Sequence, residues 1–159
     1  MPEYTAPLRD MRFLLNEVFD APSMWAENAR LSEVVDPETA DAILEEAGKI
    51  AGNVLAPLNR EGDEVGSKWK DGEVTAPPGF KEAYQTYSEG GWGGLGGNPE
   101  FGGMGMPKML VGQVEEMIQG SNISFGLAPM LTAGACLSLS AHGSQELKEQ
   151  YLPNMYSGQ

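Results

Sequence analysis

At 159 residues, with 41% hydrophobic and 21% charged side chains, the chain has the size and composition of one globular domain that buries its own core. Its net charge of -13, with no Lys/Arg cluster to offset it, repels nucleic-acid phosphates and anionic lipid, which argues against nucleic-acid and membrane-surface roles. The single cysteine and single histidine exclude an internal disulfide and any Cys/His metal cluster. With no basic, apolar-cored leader at the N-terminus, they point to a reducing cytoplasm.

Leu8, Met11, Leu15, Val18 and Phe19 recur at helical spacing and predict one helix within residues 1–35. Asp36-Pro37 then supplies an N-cap acceptor and a proline at the first helical position. The helix they open runs through Ala40, Leu44, Ala47, Ala51 and Leu55, with Glu38, Asp41, Glu45 and Lys49 on a solvated face. Pro57 is expected to bend or end it. Residues 62–79 read as an irregular excursion turning at Asp71-Gly72, and Pro77-Pro78 leads into a short helix over 80–89.

From Gly90 to Pro107 half the residues are glycine, too many for a helix or strand interior, so the segment reads as a long loop held by what it packs against. Pro107 opens a helix whose apolar side is Leu110, Val111, Val114, Met117 and Ile118. Residues 123–141 are apolar on nearly every side. Ser124, Gly126, Pro129, Thr132, Gly134, Ser138 and Ser140 interrupt them too often for a membrane span, so a central, buried helix is expected. Ser144 caps a last helix, Gln145 to Leu152, which Pro153 closes. No segment alternates apolar and polar residues long enough for a strand. The fold class is all-α: an irregular bundle of five or six helices with a long Gly-rich loop.

Little in this inventory carries chemistry. Gly91, Gly93 and Gly96 satisfy G-x-G-x-x-G, but a helix precedes them and Pro99 follows, whereas a dinucleotide loop needs a strand before and a helix after. Gly103 to Lys108 lacks the ending of a phosphate-binding P-loop. His142 sits at a helix boundary, Cys136 lies among Ala133, Gly134, Ala135 and Leu137 as a small core residue, and Glu100 belongs to the loop's own architecture. No catalytic residue and no metal site is therefore assigned. The small residues Gly126, Ala128, Ala133 and Gly134, interleaved with Phe125, Leu127, Met130 and Leu131, allow two readings: close helix packing, or one wall of an apolar tunnel.

Two motifs decide between them. Gly91-Trp92, Gly94-Leu95 and Pro99-Glu-Phe-Gly-Gly-Met-Gly-Met-Pro107, followed about forty residues on by His142-Gly-Ser-Gln-Glu-Leu-Lys-Glu-Gln-Tyr-Leu-Pro153 and Ser157-Gly158-Gln159, resemble paired signatures of the acyl-CoA dehydrogenases. The opening Met1 to Glu17 resembles the N-terminal extension of that family's larger members. The resemblance implies an extension over residues 1–35 and the family's helical N-terminal domain over 36–159. The β and C-terminal domains are absent, because the chain looks truncated before the β domain. It further implies FAD in the full-length enzyme with none bound by this portion, an acyl-CoA substrate of short or medium chain, and a flavoprotein electron-transfer partner. The full-length protein would be a homo-oligomer. The substrate-binding residues would be Gly102, Gly103, Leu127, Met130 and Leu131, with the catalytic base elsewhere. The alternative is a non-enzymatic helical protein-interaction module.

Overall fold

The computed structural model describes residues 4–159. They form α1 (Leu8–Phe13), α2 (Ala21–Glu27), α3 (Pro37–Ile50), α4 (Ala56–Val65), a hairpin of β1 (Lys68–Lys70) and β2 (Glu73–Thr75), α5 (Phe80–Glu89), α6 (Lys108–Ser121), α7 (Ile123–His142) and α8 (Gln145–Ser157). The domain is all-α apart from that hairpin. Eight helical segments exceed the expected five or six, because two long stripes are broken into shorter helices.

The first stripe runs from α1 into a single π-type turn, Leu14–Val18. Met11 and Leu15 are buried, while Val18 and Phe19 are half exposed, so only the start of the stripe finds cover. Asp20 adopts a left-handed backbone at φ 46° and reverses the chain into α2, which buries Ala21 and Trp25. The sequence reading missed α2; its one signal was Pro22 in the first turn just after Asp20. Arg12 ties α1 to α3 by pairing with Asp41 and, at 2.7 Å, with Glu45, so two residues of the supposedly solvated face hold a neighbouring helix.

Asp36 caps α3 as its sequence predicts, its Oδ1 accepting the Thr39 N–H at 2.7 Å. Hydrogen bonds from Thr39 hold this carboxyl below its ordinary value. A depressed folded-state pKa contributes stability above the ordinary carboxylate range and loses it as pH falls through the folded-state value. Asp36→Asn keeps the cap without the titration. Its denaturant stability is expected to match the parent near neutrality and to fall less steeply in acid, as read from parallel unfolding curves between pH 2 and 7.

Pro57 bends the chain without ending it. A π-type turn, Ala51–Leu55, joins α3 to α4, and Pro57 occupies the first turn of α4, where a missing N–H costs nothing. The expectation of no strand is corrected by the hairpin, in which Lys68 faces Thr75 and Trp69 faces Val74. Asp71 and Gly72 form its two-residue loop, both at positive φ (50° and 89°), the backbone that matches strand twist in tight hairpins. Three-residue strands are too short to alternate visibly; Asp-Gly between Trp and Val was the only clue.

α6 buries the five apolar residues its spacing predicts. α7 does not become the central, buried helix expected of it. Phe125, Gly126 and Cys136 are its buried residues, while Ile123, Leu127, Met130, Leu131 and Leu137 stand exposed. A helix apolar all round has no periodicity to mark its inner side, and α7 packs one edge against α6 and α8. By length and composition alone it could cross a membrane. α8 also outruns its prediction: Pro153 lies inside it, and Gly158 at φ 76° ends it. Leu152 and Tyr156, both buried and one turn apart, pin the last turn down and outweigh the ~3 kcal/mol of an interior proline.

The buried side chains form two clusters. The larger joins α1, α2, α3, α5 and α6 through residues such as Met11, Trp25, Leu44, Leu110 and Met117. The smaller gathers Phe101, Cys136, Leu152 and Tyr156, binding the glycine loop, α7 and α8 to one another.

Candidate functional site

The glycine loop is a folded strip laced to itself. Its second half donates to its first: Met104 N–H to the Gly94 carbonyl at 2.9 Å, Gly105 N–H to Gly97 at 2.9 Å, and Met106 N–H to Leu95 at 3.0 Å. Asn98 makes the intervening turn, its carbonyl accepting from Phe101 and Gly103 and its Oδ1 from Glu100. The two halves lie so close that a Cβ on Gly103 would collide with the Gly97 backbone. Only glycine permits that approach.

Tyr156 of α8 presses its ring on the strip from outside, where a Cβ on Gly97 would come within 2.8 Å of it. The Tyr156 hydroxyl accepts the Asn98 N–H at 3.3 Å and sits 3.4 Å from Ser140 Oγ of α7. The strip, α7 and α8 thereby share one fastening.

Between the strip and α7 lies a cavity of about 290 Å³. Gly93, Leu95, Gly96 and Gly97 form one side, and Gly126, Pro129, Met130, Ala133, Cys136 and Leu137 the other. α6 closes it with Lys108, Val111, Glu115 and Gln119, residues three or four apart on one helical face. Apolar groups dominate, and the polar ones come from α6. Burial raises the Cys136 thiol above its ordinary value and pushes the Tyr87 hydroxyl, also at the cavity wall, well above its own, so both stay protonated and neither is a nucleophile at neutral pH.

Of the five residues expected to bind substrate, Met130 lines this cavity. Gly103 lies within the lacing, and Gly102, at φ 87°, faces open space. Leu127 and Leu131 occupy the exposed side of α7, away from the cavity lining. Trp92, Lys108, Glu115, Gln119 and Tyr156 line it without having been anticipated. The α6 group could have been found from its 108, 111, 115, 119 spacing; Tyr156 carried no signal, because the final helix was expected to stop short of it. Glu100 keeps its architectural role, exposed and accepting from Gln145 Nε2 at 3.3 Å. Among the described residues no group of His, Cys, Asp or Glu is placed to hold a metal.

The same geometry tests the strip as a flavin site. Its N–H groups at 104, 105 and 106 are spent on its own carbonyls, leaving no free cradle for a pyrophosphate, and the cavity is far smaller than a dinucleotide requires. The described residues therefore do not fit FAD by themselves, and no step is derived through it.

A helical domain in which a self-laced glycine strip faces an apolar helix across a narrow, mostly apolar cavity defines a binding scaffold for a slender apolar chain. Residues 37–159 match the family model described as acyl-CoA dehydrogenase, N-terminal domain, and the chain belongs to the acyl-CoA dehydrogenase family. It is 36% identical over 155 residues to a 3-methylmercaptopropionyl-CoA dehydrogenase of Ruegeria pomeroyi, covering 98% of this chain and 26% of that protein. It is 34% identical over 163 residues to a butyryl-CoA dehydrogenase of Syntrophomonas wolfei, again covering 98% and 26%. A broad-specificity linear acyl-CoA dehydrogenase of Mycobacterium tuberculosis matches at 32% over 124 residues, 77% of this chain and 20% of that one. The chain thus spans about a quarter of the length of the curated relatives it matches most fully.

Proposed function

We propose that this chain serves an FAD-dependent acyl-CoA dehydrogenase as one wall of the acyl-chain pocket, positioning a short acyl-CoA thioester for oxidation of its α,β carbon–carbon bond. The observation that carries the reading is the cavity between the glycine strip and α7, mostly apolar and at the small end of ligand sites. Its size favours a short acyl chain, in keeping with the butyryl and 3-methylmercaptopropionyl substrates in the names of two relatives.

In this role the chain's own residues bind and exclude water. Met130, Val111, Leu95 and Ala133 give the alkyl chain apolar contact, and the bare backbone at Gly96 and Gly97 lets it lie close to the strip. Bound in the whole enzyme, FAD supplies the acceptor for the hydride lost from the β carbon. The base that removes the α proton, most flavin contacts and the electron-transfer partner belong to the rest of that assembly, a homo-oligomer. Gly102, Gly103, Leu127 and Leu131 then act as second-layer support of the wall or face neighbouring domains, while Met130 touches substrate.

The whole enzyme is expected to lose its yellow flavin absorbance on anaerobic addition of butyryl-CoA and to reduce an artificial electron acceptor faster with butyryl-CoA than with palmitoyl-CoA. Residues 1–159 alone are expected to purify colourless and inactive. Failure of every acyl-CoA to bleach the flavin would overturn the activity; stoichiometric flavin on residues 1–159 would overturn the division of labour.

A further inference from the structure

Gln119 is the one uncharged amide in the cavity wall. It stands on the α6 face that carries Lys108, Val111 and Glu115, and its side chain crosses to α7. There the amide lies flat over Gly126: Cδ, Nε2 and Oε1 would each be 2.7 Å from a Cβ at that position. The bare Cα of Gly126 is therefore what makes room for the amide. Among the described residues every other buried or half-buried side-chain amide finds a partner: Gln113 Nε2 donates to the Met11 carbonyl at 3.1 Å and Asn122 Nδ2 to the Leu55 carbonyl at 3.1 Å. Gln119 makes no such bond, although it is partly buried and walled by Ile118, Gly126 and Met130. A polar group held in an apolar hollow without a protein partner is costly unless something else supplies one.

The geometry points to Gln119 as a specificity-determining residue that favours acyl chains bearing a hydrogen-bonding oxygen over all-carbon chains of the same length. This rests on the reading of the cavity as the acyl site. The amide offers both a donor and an acceptor, so it serves an ether, carbonyl or hydroxyl oxygen equally. An all-carbon chain would cover the amide and leave it unpaired, which is how a buried polar group discriminates against a ligand lacking its complement.

Equilibrium binding to the whole enzyme tests this without turnover. The probes are S-hexyl-coenzyme A and its three ether analogues, in which oxygen replaces the third, fourth or fifth carbon; a thioether linkage to coenzyme A cannot be dehydrogenated as a thioester is. For the best ether, the ratio of its affinity to that of the hexyl probe is expected to fall about fivefold in Gln119→Leu. Gly126→Ala, whose Cβ displaces the amide, is expected to lower the same ratio, and Gln119→Met controls for side-chain volume by giving the Leu result. If all four probes bind and no substitution moves the ratio for any ether, this inference falls while the acyl-site reading stands. If no probe binds the parent protein, both fall together.

Discussion

Gly103→Ala is expected to destabilise the protein by about 3 kcal/mol or more, while its neighbour Gly102→Ala costs only about 1–2 kcal/mol. The two differ in what a methyl group meets. At Gly102 nothing lies within 4 Å, so the penalty is the strain of a left-handed backbone at φ 87°. At Gly103 the methyl group would overlap the backbone carbon and oxygen of Gly97, and backbone cannot swing aside as a flexible side chain can. The strip must open there, releasing the bonds from Met104 to Gly94 and from Gly105 to Gly97. Chemical denaturation of the two variants side by side measures the difference. Equal losses would mean that the strip has slack the structure does not show.

Asn122→Ala is expected to cost about 3 kcal/mol by the same measurement. Asn122 is 1% exposed and does two jobs at the junction of α6 and α7. Its Oδ1 accepts the Phe125 N–H at 3.0 Å, capping α7, and its Nδ2 donates to the Leu55 carbonyl of the π-type turn between α3 and α4. Losing the cap costs about 1 kcal/mol, and leaving a buried carbonyl without a donor adds about 1–3 kcal/mol. Asn122→Asp separates the two contributions. A protonated carboxyl can still donate to Leu55, but an ionised one cannot. Burial raises such a carboxyl's pKa, so the variant is expected to lose stability as pH rises through that raised value.

Where a residue's role follows from its immediate neighbours in the chain, the sequence reading succeeded. Asp36 before Pro37, Ser144 before α8 and the Leu110–Ile118 stripe each take the expected place, because capping and amphipathic spacing are local physics. It failed where tertiary contact overrides a local rule. Pro153 does not stop α8, since Leu152 and Tyr156 are buried on either side of it, and α7 is apolar all round without being buried. The strip was recognisable as a loop that lines something, but its partner Tyr156 lies more than fifty residues away. Composition also hid Gln119, because its significance depends on a glycine on the next helix rather than on any motif of its own.

Tyr156 gives the cavity a condition for existing. Because one phenol ring braces the strip while its hydroxyl reaches α7, residues 145–157 cannot fray without loosening both sides of the hollow. The final helix, the glycine strip and the apolar helix then open and close as one cooperative unit. Occupancy of the hollow draws on that same free energy, so a ligand that never touches the end of α8 still steadies it.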